Sequence, residues 1–169
     1  MWVTPNFVSN EEIESILSID MDFVDGNTIT NSSSRIVSSM PLYKSWLIDK
    51  IENAVEKFNS AEFNYDISNG MSEMNLLKYT PGGKYDWHHD VIRGNKDHRK
   101  FTIILQLSNS SEYEGGDFEF RDANNLDMSK CKEKGSLIMF PSIMYHRIKP
   151  LTKGTRYSIV SWVNGPRWK

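Results

Sequence analysis

The sequence predicts an α+β fold in which two amphipathic helices precede a β-rich core built as a sandwich or a barrel. Two observations support this prediction. Apolar residues recur at helical intervals in the first 60 residues, whereas short apolar runs separated by glycine-containing turns dominate after residue 70. We expect residues 1–169 to form a single domain whose β core covers about residues 70–165.

Two segments are predicted to be helices. Ser9 and Glu12 have the spacing of a capping box, and apolar residues follow at helical intervals, so we expect a short helix over residues 10–18. Pro41 is expected to begin a second helix, because an apolar stripe follows it. That stripe consists of Leu47, Ile51, Ala54, Val55 and Phe58. Both helices are expected to brace the β core, and residues 24–40 are expected to form a polar loop that could include one short strand.

The rest of the chain contains runs that are typical of short strands. They cover residues 74–79, 101–107, 117–120, 136–140 and 156–163. Turn signals rich in glycine separate them. Residues 93–100 are densely charged and predict a solvated loop, which could alternatively close over an active site.

Composition narrows the range of functions. The chain carries 20 basic and 22 acidic residues without a basic tract, which disfavours nucleic acid as the main partner. Cys131 is the only cysteine, so no intrachain disulfide can form. The first ten residues lack the features of a signal peptide, and no apolar run is long enough to span a membrane. These observations predict a soluble, cytoplasmic protein without a membrane partner.

Two short segments 58 residues apart contain the candidate metal ligands. His88 and Asp90 are separated by one residue, so their side chains point to the same side of an extended chain, whereas His89 points to the other. His146 would come from a distant strand to complete the site. Two imidazoles and one carboxylate on one face of an ion form the ligand set of non-heme Fe(II) oxygenases.

Other interpretations of these residues stay open at this level. Zinc uses the same ligand types, and an isolated His-x-Asp segment is more often an ordinary surface turn. Arg156, ten residues after His146, begins an apolar strand, where an unpaired charge is costly. Either a bound carboxylate ligand or a neighbouring Asp or Glu would neutralise it.

Four sequence blocks in a fixed order resemble the iron- and 2-oxoglutarate-dependent dioxygenases, in particular their prolyl 4-hydroxylase-like branch. Residues 79–90, YTPGGKYDWHHD, resemble the family block Y-x-x-G-x-x-Y-x-x-H-x-D, and residues 114–118, EGGDF, resemble its Gly-Gly turn before a strand. Residues 135–140, GSLIMF, precede the distal His146, and residues 154–158, GTRYS, contain the basic residue that the family has ten positions later. The similarity covers more than half of the chain.

The resemblance implies a double-stranded β-helix, or jelly-roll, of two facing sheets. It implies that Fe(II) is bound by the catalytic residues His88, Asp90 and His146. It also implies that 2-oxoglutarate chelates the iron through its keto-acid end while Arg156 binds the distal carboxylate. O2 is the implied second co-substrate, and ascorbate is a candidate additional cofactor.

Two hydroxyl groups are candidates for further contacts to the distal carboxylate. Tyr79 matches the tyrosine that begins the first family block, and Ser158 lies two residues beyond Arg156 on the same strand face. Core packing of Tyr79 and an ordinary strand position for Ser158 are the alternatives.

The implied reaction is hydroxylation of a C–H bond coupled to decarboxylation of 2-oxoglutarate to succinate and CO2. The resemblance favours a prolyl residue of a peptide or protein, as in procollagen-proline 4-dioxygenase, with a small molecule as an alternative. Nucleic-acid dealkylation is disfavoured because residues 156–162, RYSIVSW, depart from the R-x-N-x-T-x-R pattern of that branch. A non-catalytic jelly-roll binding module is a further alternative. The pocket walls are expected to include Trp87, Trp162, Ile103 and Leu105, for which core packing is the alternative.

Overall fold

Three antiparallel sheets are present in the computed structural model, which describes residues 1–25, 33–91, 96–121 and 127–168. Strands are numbered in chain order. The larger sheet has seven strands, in the spatial order β1 (Trp2–Thr4), β10 (Leu137–Pro141), β7 (Asp97–Gln106), β13 (Arg156–Pro166), β5 (Met74–Tyr79), β4 (Ser38–Leu42) and β2 (Val24–Asp25). The smaller sheet has four, in the order β3 (Arg35–Ile36), β6 (Lys84–His88), β11 (His146–Ile148) and β9 (Phe118–Phe120). A third sheet pairs β12 (Leu151–Gly154) with β8 (Tyr113–Gly115).

Helix α1 (Asn10–Leu17) is one residue shorter than the predicted helix and has the predicted capping box. The Glu12 backbone N–H donates to Ser9 Oγ at 3.2 Å, and the Ser9 backbone N–H donates to Glu12 Oε2 at 2.7 Å. These two bonds satisfy donors that the first helical turn leaves free, which fixes where the helix begins.

Helix α2 (Ser45–Glu62) begins later than predicted, so the assignment of its start to Pro41 is wrong. Pro41 lies in β4, opposite Asn75 of β5, and β2 pairs with β4 only at Ser38 and Ser39. Because β2 does not extend alongside Pro41, this part of β4 is a sheet edge, where proline is tolerated. Neither α1 nor α2, the α-helices of the described ranges, is long and apolar enough to cross a membrane.

The predicted loop at 24–40 contains three strands, β2, β3 and the start of β4, while residues 26–32 lie outside the described part. All five predicted strand runs contain strands. The short strands β1, β6, β8 and β12 lie outside these runs, whereas β11 begins at His146, which was expected to come from a distant strand. Strand β7 begins at Asp97, so most of the described part of the predicted charged loop is strand, whereas residues 93–95 of that loop lie outside the described residues.

The two faces of the larger sheet bury different apolar clusters. One cluster combines buried residues of α1 and α2 with Ile103 and Leu105 of β7. The other combines Ile104 of the same strand with Phe118 and Ile148 of the smaller sheet. Because successive strand residues point to opposite faces, Ile103 and Leu105 pack on the helix side, and the prediction that they line the active site is wrong. Two sheets sharing an apolar cluster are the arrangement expected of a jelly-roll.

Candidate active site

The three candidate metal ligands meet at one end of the two central strands of the smaller sheet. His146, the first residue of β11, pairs directly with His88, the last residue of β6, and Asp90 follows two residues later. His88 Nε2 lies 3.6 Å from Asp90 Oδ1, and His146 Nε2 lies 3.5 Å from Asp90 Oδ2. One ligand atom from each residue lies within 4.8 Å of the other two. No other group of three or more His, Cys, Asp or Glu residues in the described ranges comes this close together. Such spacing suits one ion with ligands at about 2.0–2.2 Å.

Backbone carbonyl groups orient both imidazoles. His88 Nδ1 lies 2.8 Å from the carbonyl oxygen of Asp86, and His146 Nδ1 lies 2.9 Å from that of Met144. Since a carbonyl oxygen only accepts, each Nδ1 carries the proton and each Nε2 presents its lone pair toward Asp90. The rings are therefore held in the tautomer that can bind a metal ion.

The imidazoles also have the protonation state that metal binding requires. Burial lowers the pKa of His88 to about 4, and His146 adds to this shift while Asp90 opposes it. Burial likewise lowers the pKa of His146, again against the influence of Asp90. Both rings are thus neutral at neutral pH, and only the neutral imidazole has a free lone pair.

Asp90 is held by residues that were not predicted from the sequence. Thr102 Oγ1 of β7 donates to Asp90 Oδ2 at 2.7 Å, and the Asp90 backbone N–H donates to the Ser142 carbonyl at 2.9 Å. The hydroxyl groups of Thr102 and Ser142 lie 2.9 Å apart. The one sequence signal for this role is a hydroxyl residue in the otherwise apolar run of β7, which is costly to bury without a partner.

Arg156 lies on the cavity side of the larger sheet together with Tyr79 and Ser158. It pairs with Tyr79 across β13 and β5, its guanidinium carbon lies 5.4 Å from the Tyr79 ring centroid, and its Nη1 donates to Ser158 Oγ at 3.3 Å. Arg156 is 3% exposed and Tyr79 and Ser158 are 2% exposed. None of the described carboxylates forms an ion pair with Arg156. A buried cation without an acid partner favours binding of an anionic ligand.

Burial raises the pKa of Tyr79, and the charge of Arg156 only partly opposes this shift. The phenol therefore stays protonated and can donate a hydrogen bond to a ligand beside Arg156.

A cavity of about 150 Å³ joins the histidine and arginine groups. A cavity of this size has room for a small molecule or for one side chain. Trp162 lines the cavity, as predicted. Trp87 does not, because it is half-exposed on the outer face of the smaller sheet, where the Arg147 guanidinium lies 4.5 Å from its ring. His89 is also outside the lining and packs against Tyr145 at a centroid distance of 5.4 Å.

Two further arginines line the cavity, Arg35 of β3 and Arg99 of β7. Both were predicted to lie in polar loops. A β-bulge and a two-residue strand put them in the cavity wall, and neither feature has a strong local sequence signal.

Two imidazoles and a carboxylate converging on one point inside a pair of facing sheets are typical of non-heme iron oxygenases. Residues 74–164 match the family model of the 2OG-Fe(II) oxygenase superfamily. Because this match covers more than half of the 169 residues, the chain belongs to that superfamily.

Relatives of the chain include PKHD-type hydroxylases. One from Idiomarina loihiensis is 31% identical over 93 residues, which cover 55% of this chain and 42% of that protein. One from a Synechococcus strain is 28% identical over 169 residues, covering 92% of this chain and 74% of that protein. The chain therefore spans less than half the length of the first relative and about three quarters of the second.

Solved prolyl hydroxylases share the fold. A Pseudomonas putida prolyl-4-hydroxylase has a TM-score of 0.73 at 16% identity, with 99% of this chain and 92% of that chain covered. A prolyl hydroxylase from Trichoplax adhaerens, in complex with a peptide fragment of the hypoxia inducible factor oxygen degradation domain, has a TM-score of 0.73 at 21% identity. That match covers 96% of this chain and 82% of the other.

The described residues fit the cofactors of this superfamily. Two neutral imidazoles and one carboxylate match the ligand preference of Fe(II) with positions left open, and an unpaired buried guanidinium matches a carboxylate of 2-oxoglutarate.

Proposed function

We propose that the protein is an Fe(II)- and 2-oxoglutarate-dependent dioxygenase that hydroxylates a C–H bond of a prolyl residue in a peptide or protein. The observation that carries this proposal is the convergence of both histidine Nε2 atoms on Asp90 in the same cavity as the unpaired Arg156. His88, Asp90 and His146 would hold Fe(II). When bound, Fe(II) and 2-oxoglutarate supply O2-dependent oxidation, in which one oxygen atom enters the substrate C–H bond, the other enters succinate, and CO2 is released.

Arg156 has the chemistry to bind the distal carboxylate of 2-oxoglutarate. Its planar guanidinium offers paired N–H donors to a carboxylate, and the Tyr79 ring and Ser158 hydroxyl hold it in place. The Tyr79 hydroxyl can serve as an additional donor. A carboxylate bound here would neutralise the buried charge, so co-substrate binding would relieve an unfavourable feature of the free protein.

The remaining walls would exclude water from the reacting atoms. Leu77, Ile104, Phe118, Ile148 and Val160 are buried apolar residues of the cavity lining. Walls of this kind strengthen the electrostatic contacts of the bound co-substrate and protect reactive species from side reactions.

The prolyl substrate is supported by the named activities of the structural neighbours, one of which binds a peptide fragment.

Anaerobic titration with Fe(II) and 2-oxoglutarate tests the cofactor assignment, because such complexes have a weak visible charge-transfer band. We expect the band in the wild type and its loss in His146→Ala. His89→Ala is the matched control, since His89 is outside the cavity lining, and it should keep the band. Full cofactor binding and turnover by His146→Ala would contradict the proposal.

A panel of proline-containing peptides tests the substrate assignment. We expect at least one peptide to stimulate succinate release and to gain one oxygen atom in mass spectrometry. Each assay is run with and without ascorbate, which is proposed as an additional reductant. Peptides that neither stimulate turnover nor gain oxygen would contradict the prolyl assignment while leaving the cofactor assignment intact.

A further inference from the structure

The cavity wall carries two arginines that the proposed cofactors do not use. Arg35 lies on β3 directly opposite Tyr85 of β6, and Arg99 lies near the start of β7, opposite Asn164 of β13. Both are partly buried, whereas Arg156 is buried more deeply in the cavity. They therefore occupy the outer part of the site.

A β-bulge directs Arg99 into the cavity. Between Val163 and Asn164 of β13, the partner on β7 changes from Phe101 to Arg99, so Lys100 is an extra residue. Strand alternation alone would put Lys100 on the cavity face with Thr102. The bulge replaces it with Arg99, and Lys100 Nζ instead lies 3.6 Å from the Trp168 ring centroid. Bulges that redirect a side chain are common beside active sites.

The charges around the cavity do not balance. Among the described lining residues, the permanently charged side chains are Arg35, Arg99, Arg156 and Asp90. Fe(II) and 2-oxoglutarate bring two positive and two negative charges, which cancel, and Arg156 balances Asp90. Two positive charges remain, those of Arg35 and Arg99.

Neither guanidinium has an acid partner among the described side chains. Arg35 Nε is buried and makes no hydrogen bond within the described structure. Burial lowers the pKa of Arg99, and the charge of Arg35 adds to this shift, while the charges of Asp90 and Glu73 oppose it.

An aromatic ring lies beside each of the two guanidinium groups. The Arg99 guanidinium carbon lies 3.5 Å from the Trp162 ring centroid, and that of Arg35 lies 5.3 Å from the Tyr85 ring centroid. A guanidinium stacked on a ring keeps its N–H edge free for a planar anion. Two such groups beside one cavity form a preorganised carboxylate site.

We propose that Arg35 and Arg99 bind a carboxylate of the substrate, so that the oxidised molecule carries a carboxylate close to its reacting C–H bond. This inference rests on the proposed function and narrows its substrate class. The carboxylate belongs either to a free amino acid or to an acidic side chain next to the target proline in a peptide. Both sources present the same carboxylate group, and matched pairs of acid and amide ligands distinguish between them.

Binding is measured on the Fe(II)- and 2-oxoglutarate-loaded protein without oxygen, with tryptophan fluorescence as the readout because Trp162 lies under Arg99. L-Proline is compared with L-prolinamide, and a capped Pro-Glu peptide with its Pro-Gln counterpart. In at least one pair we expect the acid to bind about tenfold or more tightly than the amide. Preference in the first pair identifies a free amino acid, and preference in the second identifies a peptide.

The preference should be lost in Arg35→Gln and in Arg99→Gln. Arg99→Lys keeps the charge without the planar fork and should keep part of the preference. Arg167→Gln is the matched control, because it removes the same charge from an exposed position outside the cavity lining, and it should behave like the wild type. Retention of the visible charge-transfer band shows that each variant is folded and loaded.

The two proposals fail in different ways. A wild-type protein without the charge-transfer band contradicts the proposed function itself. A wild-type protein with the band but without a preference for the acid in either pair, including one that binds neither ligand, overturns the carboxylate site alone. A preference that survives in both glutamine variants also overturns it.

Discussion

Thr102 Oγ1 donates a 2.7 Å hydrogen bond to Asp90 Oδ2, which ties the candidate metal carboxylate to strand β7. The bond is fully buried, since Thr102 is 1% and Asp90 is 7% exposed. Asp90 itself lies after the end of β6, so its position depends on contacts from the larger sheet and from Ser142. The carboxylate is therefore held by the larger sheet and the two imidazoles by the smaller sheet. The geometry of the candidate site depends on how the two sheets are positioned relative to each other.

Thr102→Val should weaken metal binding without unfolding the protein. Valine has nearly the same shape but cannot donate, so Asp90 would lose its orienting partner. Loss of such supporting hydrogen bonds typically costs about 10–100-fold in metal affinity. Competition titration with Fe(II) or Mn(II) measures the change. Thr102→Ser keeps the hydroxyl group and should lose much less, and equal affinities for Val and Ser variants would contradict this role for the hydrogen bond.

The unpaired buried charge of Arg156 predicts a large stabilisation by 2-oxoglutarate. At a concentration 100 times the dissociation constant, a ligand stabilises the folded state by about 2.7 kcal/mol, which raises the Tm of a protein of this size by roughly 5–10 °C. Arg156→Leu removes the buried charge, so we expect it to lose this shift without a lower Tm in the absence of ligand.

Thermal melts with and without 2-oxoglutarate test this prediction. Ser158→Ala is the graded comparison, because it removes a neighbour of the guanidinium but leaves its charge. A full ligand-induced shift in Arg156→Leu would show that the co-substrate binds elsewhere.

Local features of the sequence were sufficient to place α1 and the candidate ligands. The capping box depends on residues three positions apart, and His88 and Asp90 are only two apart, so each pattern is visible in a short window. His146 and Arg156 were singled out by their residue types and positions, and the resemblance to a known family added support for both. The structure brings all four into one cavity.

Features that depend on strand register could not be predicted from the sequence. The role of Arg99 requires the extra residue Lys100 in β7, and the pairing of Arg35 requires a strand of two residues. Pro41 was misassigned because the sequence does not reveal that β2 pairs with only part of β4. Ile103 and Ile104 are equally apolar, so their sequence does not show which one faces the cavity. The helices pack on the face that carries Ile103, which leaves Ile104 in the cavity wall.

Phe58 tests whether α2 braces the larger sheet, as we propose. It is 1% exposed, and its ring lies 5.1–5.2 Å from the centroids of Trp2, Phe63 and Phe101. Phe58→Ala should lower the free energy of unfolding by about 3–5 kcal/mol in urea denaturation, because it removes apolar contacts and leaves a cavity. Phe58→Leu fills most of that space and should cost less. A loss below about 1 kcal/mol for the alanine variant would argue against bracing.

Cys131 should be unreactive at neutral pH. Burial raises the pKa of its thiol to about 11, so very little reactive thiolate is present at pH 8. Alkylation by iodoacetamide should be on the order of 100 times slower than for a free thiol and should accelerate about tenfold per pH unit while the protein stays folded. Protein unfolded in urea is the control and should react at the free-thiol rate. Rapid alkylation of the folded protein at pH 8 would contradict the burial of this thiol.

Gly154 links the position of Arg156 to the pairing of β12 with β8. Its φ angle is +76°, and a Cβ atom there would overlap the carbonyl oxygen of Glu112. Gly154→Ala should therefore strain the backbone and create a clash that pushes β12 away from β8. This shift would also displace Arg156, which lies two residues after Gly154. Gly82→Ala is the matched control, since Gly82 has a φ angle of +87° but no atom within 4 Å of the position that an added methyl group would take.

We expect urea denaturation to show that the free energy of unfolding falls by about 1–2 kcal/mol for Gly82→Ala, from strain alone, and by at least about 3 kcal/mol for Gly154→Ala. Only Gly154→Ala should also bind 2-oxoglutarate more weakly. Equal losses in the two variants, with unchanged 2-oxoglutarate affinity, would show that the close approach to Glu112 does not position the arginine.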